Sequence, residues 1–160
     1  MIEENLNASV IMHVIKLSET WKKNGDFITM KYGITTQQWF IMLLLANDPN
    51  NVYLRERNSK KELMAMELAE ALNVSRANIT NLLNVLLRKK LILQAEDNID
   101  KRCKRLRLSA TGKKLLKSLE SLRAEYNGRL FSIFTDTEKQ GIIDFTVKCL
   151  GAMQLTKSVK

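Results

Sequence analysis

ELAEALNVSRANITNLLNVLLRKK, residues 67–90, decides the fold. Its upstream part, begun at ELMAMELAEAL (62–72), places Leu63, Met66, Ala69 and Leu72 in helical register. Asn73 and Val74 leave room only for a short turn. Ser75 then stands where a hydroxyl can accept from the first free backbone N–H groups of a new helix. That helix carries its apolar residues at Ile79, Leu82, Leu83 and Leu86, with Leu87 beside them. Two helices joined by a tight turn, the second opening on short polar side chains, predict a helix-turn-helix.

Downstream the period changes from helical to two. LILQAE (91–96) and KRLRLS (104–109) are short, and Leu106 and Leu108 alternate with Arg105 and Arg107. Turn residues lie between them, so the two runs predict a β-hairpin with a basic outer face. Upstream, NVYLRERNSKKE (51–62) is charged and aperiodic and reads as a surface loop, although Ser59 with Glu62 would also suit a helix start. GITTQQWFIMLLLA (33–46) predicts a helix opened by a Thr35–Gln38 capping box and ended by NDPNN (47–51). Leu6, Val10, Val14, Leu17 and Trp21 form one stripe of a first helix, which KNGD (23–26) is expected to break. Ser109 opens a helix with Leu115, Leu119, Leu122, Tyr126, Leu130 and Ile133 in register. After a Thr135–Glu138 capping box, the last helix sets Ile142, Phe145, Cys149 and Met153 on one face.

The chain has 160 residues and a net charge of +9. Residues 1–50 hold four basic and five acidic side chains, residues 51–119 hold sixteen and seven, and residues 120–160 hold six and five. All the excess therefore sits on the central segment, which points to a polyanionic partner. The longest apolar run, WFIMLLLA (39–46), falls well short of the roughly 20 residues of a membrane span. Acidic residues precede the apolar ones at the N-terminus, so no secretory signal is expected and the chain reads as cytoplasmic, with no membrane partner. His13 is the single histidine, and Cys103 and Cys149 are the two cysteines. They make neither a metal-ligand spacing nor a disulfide framework, and no cofactor is implied. No nucleophile elbow, phosphate loop or carboxylate pair appears, so no enzyme is expected. The methionines read as fillers of core gaps.

In a helix-turn-helix the first turns of the second helix meet base edges. Here they carry Ser75, Arg76, Ala77, Asn78, Thr80 and Asn81, small or amide side chains that approach closely and offer donors and acceptors. The hairpin behind them would be a wing, with Asp100, Lys101, Arg102, Lys104 and Arg105 as its DNA-facing set. Cys103, between Arg102 and Lys104, is a candidate redox site because positive neighbours favour thiolate; a bystander thiol is the simpler reading.

ELAEALNVSRANITNLLNVLLRKKLI (67–92), continuing through NIDKR (98–102) and LRLSATG (106–112), resembles the MarR family of bacterial winged-helix regulators. The marks are the wing's Asp-x-Arg, here Asp100-Lys101-Arg102, and the closing Leu108-Ser109-Ala110-Thr111-Gly112. GITTQQW (33–39) is similar to the family's helix before the reading head, and the resemblance spans about residues 6–155. It implies a homodimer built from the terminal helices, each copy reading half of a pseudo-palindromic operator in double-stranded DNA, most often as a repressor. It also implies that Arg102 reaches the minor groove and that Asp100 orients it. Many relatives release DNA when a small phenolic or other lipophilic effector binds, and His13, Trp21 and Trp39 are the candidate pocket here. Two departures stand out: Lys90 occupies the place of the family's usual Gly before the wing, and the 47–62 loop is long. That loop carries Arg55, Arg57, Lys60 and Lys61, which would add phosphate contacts.

The expected fold is mainly α with a small β-hairpin wing, a winged helix-turn-helix flanked by dimerisation helices. Residues 1–46 would supply N-terminal helices for dimerisation and support, 47–112 the DNA-binding region and 113–160 the C-terminal dimerisation helices, in one compact chain. The rival reading is a winged-helix module that binds another protein without choosing a DNA sequence.

Overall fold

The computed structural model describes residues 5–55, 62–97, 101 and 103–157. The order is α1 (Leu6–Met30), α2 (Thr36–Leu45), α3 (Val52–Arg55), β1 (Leu63–Met64), α4 (Ala65–Leu72), α5 (Arg76–Arg88), β2 (Ile92–Glu96), β3 (Lys104–Leu108), α6 (Ala110–Phe131) and α7 (Asp136–Lys157). The chain divides into two units, Met1–Glu120 and Ser121–Lys160.

The first unit is built around α2 and α5. Ile41, Met42, Leu44, Leu68, Ile79, Leu86, Ile92, Leu106 and Leu119 are almost wholly withdrawn from water. At about 25 cal/mol per Å² of apolar surface, this shared burial is the main force holding helices and sheet together. The predicted stripe of α5 is the buried one: Ile79, Leu82, Leu83 and Leu86, with Leu87 half-buried. In α2 the capping box forms as expected. The Gln38 N–H donates to Thr35 Oγ1 at 3.3 Å, and the Thr35 N–H donates back to Gln38 Oε1 at 2.9 Å.

Five expectations change. KNGD does not end α1, which runs on to Met30. A β-carbon on Gly25 would lie 2.4 Å from Thr36 Oγ1, so Gly25 is a seat for α2 rather than a breaker. The neighbouring Asp26 accepts from the Thr36 N–H at 2.6 Å, and Thr36 Oγ1 donates to Lys22 O at 3.0 Å. The helix before the turn starts at Ala65, not Leu63, because Leu63 and Met64 pair with β3. Glu67 receives the Met64 N–H at 2.7 Å and marks that start, leaving Leu63 buried in the sheet and Met66 59% exposed. The wing sheet consequently has three strands, in the order β1-β3-β2, not two. Ile133 lies beyond the end of α6, 79% exposed, and is no part of that helix's stripe. The 51–62 segment, expected to be loop, contains the short α3; Ser59 is outside the described residues.

In the second unit Thr135 and Glu138 cap α7 reciprocally: Glu138 Oε2 accepts from the Thr135 N–H at 2.7 Å, and the Glu138 N–H donates to Thr135 Oγ1 at 3.3 Å. Hydrogen bonds to that carboxylate, first from the Thr135 backbone N–H and then from the Thr135 hydroxyl at 2.8 Å, hold the Glu138 carboxyl below its ordinary range. Along α7, Ile142, Phe145 and Met153 are 42%, 42% and 60% exposed.

Three helices end the same way. Asn47, Asn73 and Lys90 adopt left-handed backbone, with φ of 56°, 52° and 55°. The next residue's N–H reaches back into the helix each time: Asp48 to Leu43 O, Val74 to Ala69 O and Leu91 to Leu86 O, at 3.1, 3.0 and 2.9 Å. Asn tolerates this conformation, whereas a lysine pays for its β-carbon. Lys90→Gly should therefore raise the urea midpoint, with a net gain of about 0.5–1 kcal/mol after the extra chain entropy of Gly. An unchanged or lower midpoint would mean that the Lys90 side chain itself stabilises the turn.

Candidate nucleic-acid interface

Asn73 ends α4 and Ser75 starts α5, so two residues set the angle of the helix-turn-helix. Ser75 Oγ accepts from the Asn78 N–H at 3.2 Å, the predicted cap. With Ile79, Leu82, Leu83 and Leu86 committed to the core, Arg76, Ala77, Thr80 and Asn81 are exposed and Asn78 is half-buried. Thr80 Oγ1 donates to Arg76 O at 2.8 Å. Its hydroxyl proton is thereby committed, and the outer surface receives its methyl group and acceptor lone pairs. Arg76 Nη2 lies 3.7 Å from the Met66 sulfur, a thioether that leans the guanidinium along the outer surface. Met66 was expected in the core; its exposure is what allows this contact.

Helix α5 is also tied from behind. Gln38, only 4% exposed, donates through Nε2 to Leu82 O at 3.4 Å. The same side chain thus caps α2 and touches the middle of α5. Sequence spacing identified its cap role but gave no sign of this second contact.

The strand register is Ile92↔Leu108, Leu93↔Arg107, Gln94↔Leu106, Ala95↔Arg105 and Glu96↔Lys104. Lys101, Lys104 and Arg107 are exposed. Asp100 and Arg102 lie outside the described residues, as do Arg57, Lys60 and Lys61; Arg55 belongs to α3. Cys103 is half-buried and its carbonyl accepts from the Asp97 N–H at 3.0 Å. Arg105 differs from its neighbours. Its Nε donates to the Asp97 carboxylate in a short contact, and its Nη1 donates to Glu62 O at 2.9 Å. The bond to Asp97 holds the guanidinium above its ordinary pKa. No local pattern links Asp97 or Glu62 to Arg105, so the sequence alone placed Arg105 with the DNA-facing set.

The three effector candidates are not alike. His13 and Trp21 lie on α1, eight residues or about 12 Å of helix apart. His13 is exposed, with Nδ1 2.8 Å from Ser9 O, and Trp21 is 39% exposed. Trp39 is buried in the core, and among the described residues its indole N–H has no hydrogen-bond partner. Among the described residues no helix is long and apolar enough to cross a membrane.

No family model matches the chain. An uncharacterized HTH-type transcriptional regulator, YpoP of Bacillus subtilis (strain 168), is 30% identical over 95 residues, 59% of this chain and 65% of that protein. The match thus spans less than two thirds of that relative. The structure of S. aureus MepR with DNA aligns with a TM-score of 0.69 and 26% identity, covering 91% of this chain and 95% of that one. A MarR/EmrR family regulator from Acinetobacter sp. ADP1 aligns at 0.77 with 18% identity, covering 95% and 99%, a likeness of fold alone. These structural neighbours are MarR-family regulators, and the winged-helix fold is theirs. The relatives are regulators of transcription, a class without enzymatic activity.

Ser75→Ala removes the cap of α5 and should cost about 1 kcal/mol in urea unfolding, whereas Ser75→Asp, which restores an acceptor, should cost little. Equal losses for both would mean that the hydroxyl does something other than cap.

Proposed function

We propose that this chain, a MarR-type winged-helix protein, is a DNA-binding regulator of transcription that acts as a homodimer in the cytoplasm. One observation carries the reading: the first turns of α5 expose Arg76, Ala77, Thr80 and Asn81, with Asn78 half-buried beside them, while the opposite stripe of the helix is locked into the core. Side chains this short let a helix sit deep in a major groove, and the amides of Asn78 and Asn81 match the paired donor and acceptor of adenine. The central segment's basic excess supplies phosphate contacts, with Lys101, Lys104 and Arg107 exposed on the wing. Arg102, one residue from Lys101, is assigned to the minor groove and Asp100 to orienting it.

In this reading residues 47–112 read DNA, and residues 1–46 and 113–160 build the dimer. Val10, Val14, Leu17 and Trp21 are 37–45% exposed on α1, and Ile142, Phe145 and Met153 are 42–60% exposed on α7. Stripes of this extent on an isolated chain are expected to be covered by a partner surface, and a second copy supplies the same stripes in return. Two reading heads held about 34 Å apart would then meet successive major grooves of a pseudo-palindromic site. Repression follows if that site overlaps a promoter. A small lipophilic or phenolic effector would release it, with Trp39's unpartnered indole N–H as the group to receive an oxygen atom.

A duplex selected from a random library by the wild-type protein tests the reading. Binding should weaken with salt at a log–log slope of about −0.9 per phosphate contact. Asn78→Ala should change which sequences are selected, and Lys101→Ala should weaken all of them alike and flatten the slope by about 1. A flat salt response with no selected sequence would favour a protein-binding winged helix. Val14→Asp should convert a sedimenting dimer to monomer and abolish operator binding together with it; a persistent dimer would remove α1 from the interface.

A further inference from the structure

Arg105 occupies the central strand of the wing sheet, opposite Ala95 on β2 and Met64 on β1. Its side chain spans both neighbours. Nε donates to Asp97, the residue just past the last paired position of β2, and Nη1 donates to the carbonyl of Glu62, just before β1. Asp97 also closes the base of the wing, because its N–H donates to Cys103 O at 3.0 Å. Arg107, two residues along the same strand, behaves differently. It is 56% exposed, against 25% for Arg105, and its nearest carboxylate, that of Glu62, is 3.9 Å away.

A guanidinium reads phosphate through adjacent N–H groups, and Arg105 has already committed Nε and Nη1. Turning it toward DNA would break its charged hydrogen bond with the Asp97 carboxylate, which is only 9% exposed. Exchanging that buried partner for a solvent-exposed phosphate is unfavourable. Lys101, Lys104 and Arg107 have no such commitment among the described residues and remain open to solvent.

We infer that Arg105 is a positioning residue rather than a DNA contact: through Asp97 and the Glu62 carbonyl it clamps the neck of the wing to β1 and so fixes the angle at which the tip meets the duplex. The inference rests on the DNA-binding reading above and moves Arg105 out of the contact set the sequence suggested. It assigns Asp97, an acid beside a polyanion, a favourable role in binding. Removing an acid near phosphates ordinarily tightens binding; removing this one should loosen it, because the clamp opens. The two readings of Arg105 therefore predict opposite signs for Asp97→Asn.

The test uses the full-length protein and a duplex selected by the wild type from a random library. Binding is measured by titration at fixed salt, and hydroxyl-radical footprints and thermal melting are recorded for each variant. Asp97→Asn and Arg105→Lys should each weaken binding about tenfold, and the double variant should be no weaker than either single one, since both break the same clamp. Arg105→Lys keeps the positive charge but cannot span two acceptors. Protection at the flanks, where the wing lies, should fade while protection at the two half-site centres stays. Equal or tighter binding by Asp97→Asn, or wild-type affinity for Arg105→Lys, would overturn the inference. So would flank and centre protection lost in parallel with a lowered melting temperature, which marks a residue needed only for folding. If the wild type selects no duplex, the DNA-binding reading itself fails and the inference falls with it.

Discussion

The reading head hangs on one hydroxyl. Ser109 Oγ lies 2.7 Å from Lys90 O and 3.0 Å from Leu91 O, sharing its one proton between these carbonyls after α5, and it accepts the Gly112 N–H at 2.9 Å. Its own backbone N–H donates to Leu91 O at 3.0 Å. One residue thereby joins the end of the recognition helix, the last strand of the wing and the first turn of α6. The approach is so close that a β-carbon on Gly112 would sit 2.0 Å from Leu91 O. The Leu-Ser-x-x-Gly signature is thus a steric and hydrogen-bonding requirement. A serine or threonine satisfies the carbonyls, and three residues later only glycine fits.

From that joint the rest of the interface follows. Helix α5 is held at its N-terminus by Ser75, in its middle by Gln38 and at its C-terminus by the Lys90–Ser109 contact, so its outer face is fixed at three points. Rigidity matters because base readout needs donors and acceptors already in place when the groove is met. The wing is braced separately, through Arg105 and Asp97. On the proposed reading, the cationic residues of the sheet divide by chemistry: exposed Lys104 and Arg107 serve phosphates, and Arg105, held by a buried carboxylate, serves the fold.

Local signals in the sequence were reliable where a short-range hydrogen bond decides the structure. Ser75, the Thr35–Gln38 box and the Thr135–Glu138 box each act over three residues, and each forms as spacing predicts. The α5 stripe was legible for the same reason, since helical period alone selects which side is buried. The failures came where a distant segment intervenes. Gly25 resembled a helix stop, but Thr36 packs against it. Leu63 fitted a helical stripe, but pairing with Leu106 across the chain drew it into the sheet. Arg105 fitted a basic outer face, but Asp97 and Glu62 claim it.

By itself, then, the sequence determined the helix-turn-helix, the hairpin that follows it, the family likeness and the basic centre of the chain. Each is written in periodicity, capping residues or charge, which depend on neighbours a few positions away. Only the tertiary structure decided how far α1 runs, that the wing has a third strand, and that Arg105 is bound to a buried carboxylate. Those outcomes depend on close approach and hydrogen-bond competition between segments far apart in the chain, and no local pattern encodes which acceptor a guanidinium will find first.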